Sequence, residues 1–164
     1  MGWTYTHKDA GESVFDFFKK RFDYSRDDGR YGKVIACAVK NLRTAYLAYE
    51  INSPDRGKEV VALVCLLGYA PKDYYNFGYK EIDESMGPCE TECPEKILKL
   101  LTPTESEWAN EWRKRCWENI KKGKTRIKLT EGNQVRSPEP INFTNGKAYQ
   151  EFVVVDAKRS CFAP

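Results

Sequence analysis

Histidine is nearly absent: His7 is the only one in 164 residues. That leaves little room for His-based general catalysis or for a His-rich metal site. The chain has no Gly-x-x-x-x-Gly-Lys-Ser/Thr, no Gly-x-Gly-x-x-Gly, no Gly-x-Ser-x-Gly and no His-Glu-x-x-His. A phosphate-cradling loop, a dinucleotide fingerprint, a nucleophile elbow and a zincin helix are therefore excluded. No apolar run approaches the ~20 residues that a membrane-spanning helix needs. No apolar segment follows the first residues either, so the expected setting is the cytoplasm, with no membrane partner. The net charge is only +3. It excludes a DNA-mimicking inhibitor, which needs a strongly acidic surface, and it names no partner by itself.

What is present is a core. Hydrophobic residues make up 41% of the chain and aromatics 13%, which excludes disorder. The length suits one domain, or one domain with a small appended module. Charge is uneven: residues 105–164 carry twelve Lys/Arg against eight Asp/Glu, and residues 51–104 carry six against nine.

The order of elements predicts an α+β fold. Residues 2–6 read as a short edge strand. Ser13 and Asp16 form a capping box, and Val14, Phe15, Phe18 and Phe22 follow at helical spacing. Tyr31–Lys40, Arg43–Ile51 and Lys58–Gly68 read as an antiparallel meander. Asn41-Leu42 links the first two without the favoured Asn-Gly chemistry. The third strand is apolar at nearly every position, which marks a strand buried on both faces. The stretch 70–93 has no clean period, and loops of that length are functional or hide short elements. A short helix is expected over 94–101. A second capping signal at Thr104–Glu107 then opens a Trp-rich helix, with Trp108, Trp112, Cys116 and Ile120 at i, i+4, i+8 and i+12. Residues 125–155 return to strand, with Asn145-Gly146 as the hairpin turn. The expected architecture is a helix on a meander over 1–102, then a helix with a small β-hairpin or barrel-like module over 103–164, packed as one unit.

Three features could carry chemistry. The loop 77–88 gathers Tyr79, Lys80, Asp83, Glu84 and Ser85 before the turn at Gly87-Pro88. Asp83 or Glu84 could serve a small hydrolase or transferase as base, assisted by Tyr79 or Lys80. Adjacent carboxylates on a strand point to opposite faces, so at most one meets a given substrate. The alternative is a structural loop, with Asp and Ser side chains satisfying backbone N–H groups. Cys89 and Cys93 are spaced by three rather than the two residues usual in zinc knuckles, so structural thiols are expected and no cofactor. The basic stripe Arg113, Lys114, Arg115, Lys121, Lys122, Lys124, Arg126 and Lys128 would attract phosphates, or would simply be a solvated face completing a helix dipole. Arg113, Lys114 and Lys121 are expected to point to solvent.

The string Gly78-Tyr79-Lys80 … Asp83-Glu84-Ser85-Met86-Gly87-Pro88 … Cys93-Pro94, with the opening Met1-Gly2-Trp3, resembles a family of small proteins of unknown function carried by phages and plasmids. The resemblance covers residues 77–94 closely and only the general element order beyond residue 100. It implies a mobile-element setting and assigns no catalytic or binding residue. The expected function is a non-catalytic accessory protein that binds nucleic acid or a host protein handling it, an anti-CRISPR or other anti-defence inhibitor being one concrete form. The alternatives are the small hydrolase or transferase and a structural subunit of an oligomer.

Overall fold

The computed structural model describes residues 2–54, 57–68, 74–124, 129–144 and 146–155. It divides into two units, residues 1–124 and residues 125–164. The Trp-rich helix, grouped by its sequence with the C-terminal module, belongs to the first unit.

Ser13 caps α1 (Val14–Phe22) by accepting the Asp16 N–H at 3.0 Å, as the capping box requires. The helix lays Phe17 and Phe18 onto a sheet. That sheet has six antiparallel strands: β1 (Thr4–Thr6), β2 (Tyr24–Ser25), β3 (Tyr31–Lys40), β4 (Thr44–Ser53), β5 (Gly57–Gly68) and β6 (Phe77–Asp83). Their order is β1-β6-β5-β4-β3-β2. The expected three-stranded meander thus gains a fourth strand, β6, from within the long aperiodic stretch. Both outer strands are very short, which limits the unpaired edge that invites aggregation.

The apolar character of β4 and β5 has a direct cause, because helices cover both faces. On one face, Ala45, Leu47, Leu63, Cys65 and Tyr79 pack with Phe17 and Phe18 of α1. On the other, Tyr46, Ala48, Val60, Ala62 and Val64 pack with α2 (Glu95–Leu98) and α3 (Glu107–Lys124), through Ile97, Leu98, Trp112 and Cys116. In β3 the register shifts between Val34 and Ala36. This bulge returns Cys37 to the same face as Val34, so both join the α1 side.

The Asn41-Leu42 turn closes with left-handed φ values of 51° and 55°. The Arg43 N–H donates to the Lys40 carbonyl at 3.0 Å. This is the backbone that Asn-Gly serves best, yet Leu42 occupies it.

The second unit contains a two-stranded ribbon of β7 (Gln134–Asn142) and β8 (Ala148–Val153). Gly146, at φ 76°, donates its N–H to the Phe143 carbonyl and closes the hairpin. Phe143 packs edge-on against Tyr149. Among the described residues the module is this ribbon and not a barrel. Residues 125–128 of the expected strand segment, and Asn145 of its turn, lie outside the described residues.

Leu42 is 89% exposed, so it contributes no packing to offset its left-handed conformation. Leu42→Gly is expected to stabilise the protein by about 1 kcal/mol, read as a raised urea midpoint with an unchanged m-value.

Candidate functional site

The site of interest is where β6 stops. Its pairing with β5 ends at Leu63–Asp83, while β5 runs on to Gly57. The backbone of Val60 and Ala62 on that edge therefore needs other partners. Thr102 supplies one set: its N–H donates to the Val60 carbonyl and its hydroxyl accepts the Val60 N–H at 3.1 Å. Glu84 supplies the other, its Oε1 accepting the Ala62 N–H at 3.1 Å.

Glu84 is only 2% exposed. A buried carboxylate needs a countercharge and further hydrogen bonds. Arg113 of α3 gives both. Its Nε donates to Oε2 at 2.6 Å and its Nη2 to Oε1 at 2.5 Å, a two-pronged pairing. The remaining prong, Nη1, donates to the Thr102 carbonyl at 2.6 Å. Arg113 thereby joins β5, the 3-10 turn Glu84–Met86 and the entry to α3.

From Glu84 the chain runs as a strap along α3. Asp83 caps the 3-10 turn, its Oδ1 accepting the Ser85 N–H at 2.8 Å and the Ser85 hydroxyl at 2.6 Å. Gly87 turns the chain at φ 62°, and a Cβ there would lie 3.2 Å from the ring of Trp108. Trp112 donates its indole N–H to the Glu90 carbonyl at 2.9 Å. The Glu92 N–H donates to the Tyr46 hydroxyl at 3.1 Å. Asn119 donates to the Thr91 hydroxyl at 2.7 Å. Lys124 reaches Glu95 at 2.9 Å.

The loop residues with catalytic potential are not brought together. Tyr79 is buried among Phe17, Phe18 and Phe77 on the α1 side, where its hydroxyl accepts from Arg21 Nε at 3.1 Å. Strand alternation sets Lys80 on the opposite face. Asp83 and Ser85 are engaged with each other, and Glu84 with Arg113. Cys93 is buried beside Cys116, and burial pushes both thiols up, Cys116 to about 11. Cys89 is exposed. Among the described residues no group of three His, Cys, Asp or Glu side chains could hold a metal ion.

The basic stripe divides. Arg113 is not solvent-facing, its side chain being 14% exposed in the pair with Glu84. Arg115 is half-buried, with Nη2 3.4 Å from the Pro88 carbonyl. Lys114, Lys121 and Lys122 are exposed, beside Glu111 and Glu118 on the same helix. Arg126 and Lys128 lie outside the described residues. Sequence reasoning missed the ion pair because its partners are 29 residues apart. It also missed Glu81, a half-buried carboxylate on β6 whose pKa is raised by burial and secondarily by Asp83.

Compared with known proteins, residues 103–164 match a family model described as a domain of unknown function, DUF6927. The matched segment begins downstream of the 77–94 loop. It takes in α3 and the β7–β8 ribbon. No curated protein and no solved structure matches the chain.

Arg113→Met, which leaves the Glu84 charge buried alone, is expected to lose about 3–5 kcal/mol of stability. The double variant Glu84→Leu/Arg113→Met should recover a large part of that loss. Urea denaturation of the single and double variants measures both.

Glu81 titrates in the opposite sense to a paired carboxylate. Its folded pKa lies above the unfolded value, so its ionised form disfavours the fold at neutral pH. Glu81→Gln is expected to raise the melting temperature at pH 7. The gain should vanish below about pH 4, where the wild-type carboxyl is protonated in both states. Thermal melts across that range give the sign directly.

Proposed function

We propose that the protein is a non-catalytic accessory factor that binds nucleic acid or a protein that handles it. The observation that carries the non-catalytic part is the closure of Glu84 by Arg113 and the Ala62 N–H. A general base needs a free lone pair within reach of substrate, and this carboxylate is engaged on both oxygens. Of the two groups that could assist a base on the loop, Tyr79 is buried and bonded to Arg21, and strand alternation sets Lys80 on the face opposite Asp83.

The nucleic-acid part draws on the outer surface of α3. Lys114, Lys121 and Lys122 are exposed there. The nearby Glu111 and Glu118 temper the field, so the attraction is modest. The mobile-element setting, with an anti-defence role as one form of it, rests on the loop resemblance alone. A subunit role in an oligomer draws on the ribbon, where Ile141, Phe143, Tyr149 and Val153 are each about half exposed.

The purified protein should bind labelled DNA or RNA in low salt. Affinity should fall as salt rises, with a log–log slope of up to about −3 if three lysines each neutralise a phosphate. Lys114→Gln/Lys121→Gln/Lys122→Gln should flatten that slope. An absence of binding at low salt would remove nucleic acid and leave the protein partner, to be sought by pull-down.

A further inference from the structure

On the sheet face that α2 and α3 cover, the β1–β6 edge carries exposed rings on a glycine floor. Gly78 of β6 pairs with Gly68 of β5 on one side and with Tyr5 of β1 on the other. A Cβ at Gly68 would meet the Trp3 ring at 2.7 Å, and one at Gly78 would meet the Tyr5 ring at 3.0 Å. The glycines let both rings lie down on the sheet. The rings are nearly parallel, 13° apart, with centroids 6.5 Å apart. Trp3 is 45% exposed and Tyr5 38%. His7, two residues further along, contacts Tyr74 and Tyr75 with centroids at 5.5 Å from each.

Along β1 and β6 the charged residue on this face is Lys80. Continuing the β1–β6 register by one residue sets Lys80 opposite Trp3. Alternation along β6 sends Glu81 and Asp83 to the α1 face with Phe77 and Tyr79. Glu84 is held by Arg113. A glycan would need free amides or carboxylates beside the rings for its hydroxyls. The nearby amide, Asn76, is already bonded to both backbone groups of Lys8.

We propose that Trp3 and Tyr5 form a stacking platform for the bases of a single-stranded nucleic acid, with Lys80 facing its phosphates. Outward ring faces can be reached by unstacked bases and not by those inside a duplex. This rests on the nucleic-acid reading above but uses a different surface from the α3 lysines.

The test is a titration of the full chain with fluorescein-labelled oligo(dT), read by anisotropy and by tryptophan emission. Trp3→Ala and Tyr5→Ala should each weaken binding on the order of tenfold. Trp3→Phe should keep most of the affinity while losing the oligo(dT)-induced quench. That variant also serves should either alanine variant fail to fold. An unlabelled duplex of equal length should compete poorly. Wild-type affinity in both alanine variants, equal competition by the duplex, or quenching by a soluble glycan in place of oligo(dT) would overturn the platform. If oligo(dT) and duplex both bind and only the α3 lysine variants lose them, the platform fails and the broader reading stands. If neither nucleic acid binds, the platform fails together with the nucleic-acid part of the reading above, and the protein partner is left.

Discussion

The buried pair of Glu84 and Arg113 answers a problem set by strand lengths. β5 extends past the end of β6, which leaves backbone donors and acceptors exposed at the very edge that α3 must cover. Water cannot serve them once the helix is in place, and unpaired buried backbone groups are costly. A carboxylate can accept the Ala62 N–H, but its charge then needs a partner in the same low-dielectric space. Arg113 supplies it and uses its remaining donor on the Thr102 carbonyl. One guanidinium therefore fixes the strand edge, the 3-10 turn and the start of the helix together.

The strap follows from this anchor. Once Glu84 is fixed, the chain to Glu95 must run beside α3, and polar residues on that side of the helix serve strap carbonyls and carboxylates. Trp112, Arg115 and Asn119 each do so. The concentration of Tyr, Lys, Asp, Glu and Ser in the loop, which looks like a reactive cluster in one dimension, is distributed over two faces of a sheet and one helix in three. The groups of this loop therefore do not converge on one cleft.

Much of the fold was legible from local rules. The Ser13 cap, the meander and the two-sided burial of β5 follow from residue spacing, and the burial has its cause in helices on both faces. β6 was hidden, because Gly78, Tyr79, Lys80 and Glu81 meet three environments: a ring-covered floor, a core, and two half-exposed positions. No single alternation survives that. The helix stripe misled for a geometric reason. Each i+4 step overshoots a full turn by about 40°, so Trp108 and Ile120 are rotated by about 120° from one another. Both cannot face one sheet. Trp112 and Cys116 take the centre, Ile120 packs at the margin and Trp108 is 69% exposed. That same rotation swings Arg113 inward, against the expectation that it faces solvent. No sequence pattern links it to a glutamate 29 residues earlier.

Glycines within the strands separate structural rings from the edge platform. At Gly32 the space left by the missing side chain is taken by Tyr49 and Tyr24. Tyr49 is tied down there, its hydroxyl donating to the Phe22 carbonyl at 2.9 Å, and it also packs against the α1 core. That ring has a packing role sufficient to explain the glycine. At Gly68 and Gly78 the rings of Trp3 and Tyr5 belong to neither core cluster. Glycine weakens a strand interior, and large exposed rings forgo much of the benefit of burial. Two glycines paired across adjacent strands beneath two flat, open rings therefore compound two unfavourable choices. Stability alone would favour a β-branched residue at either glycine position, and the proposed contact with a planar group outside the fold would supply the missing reason.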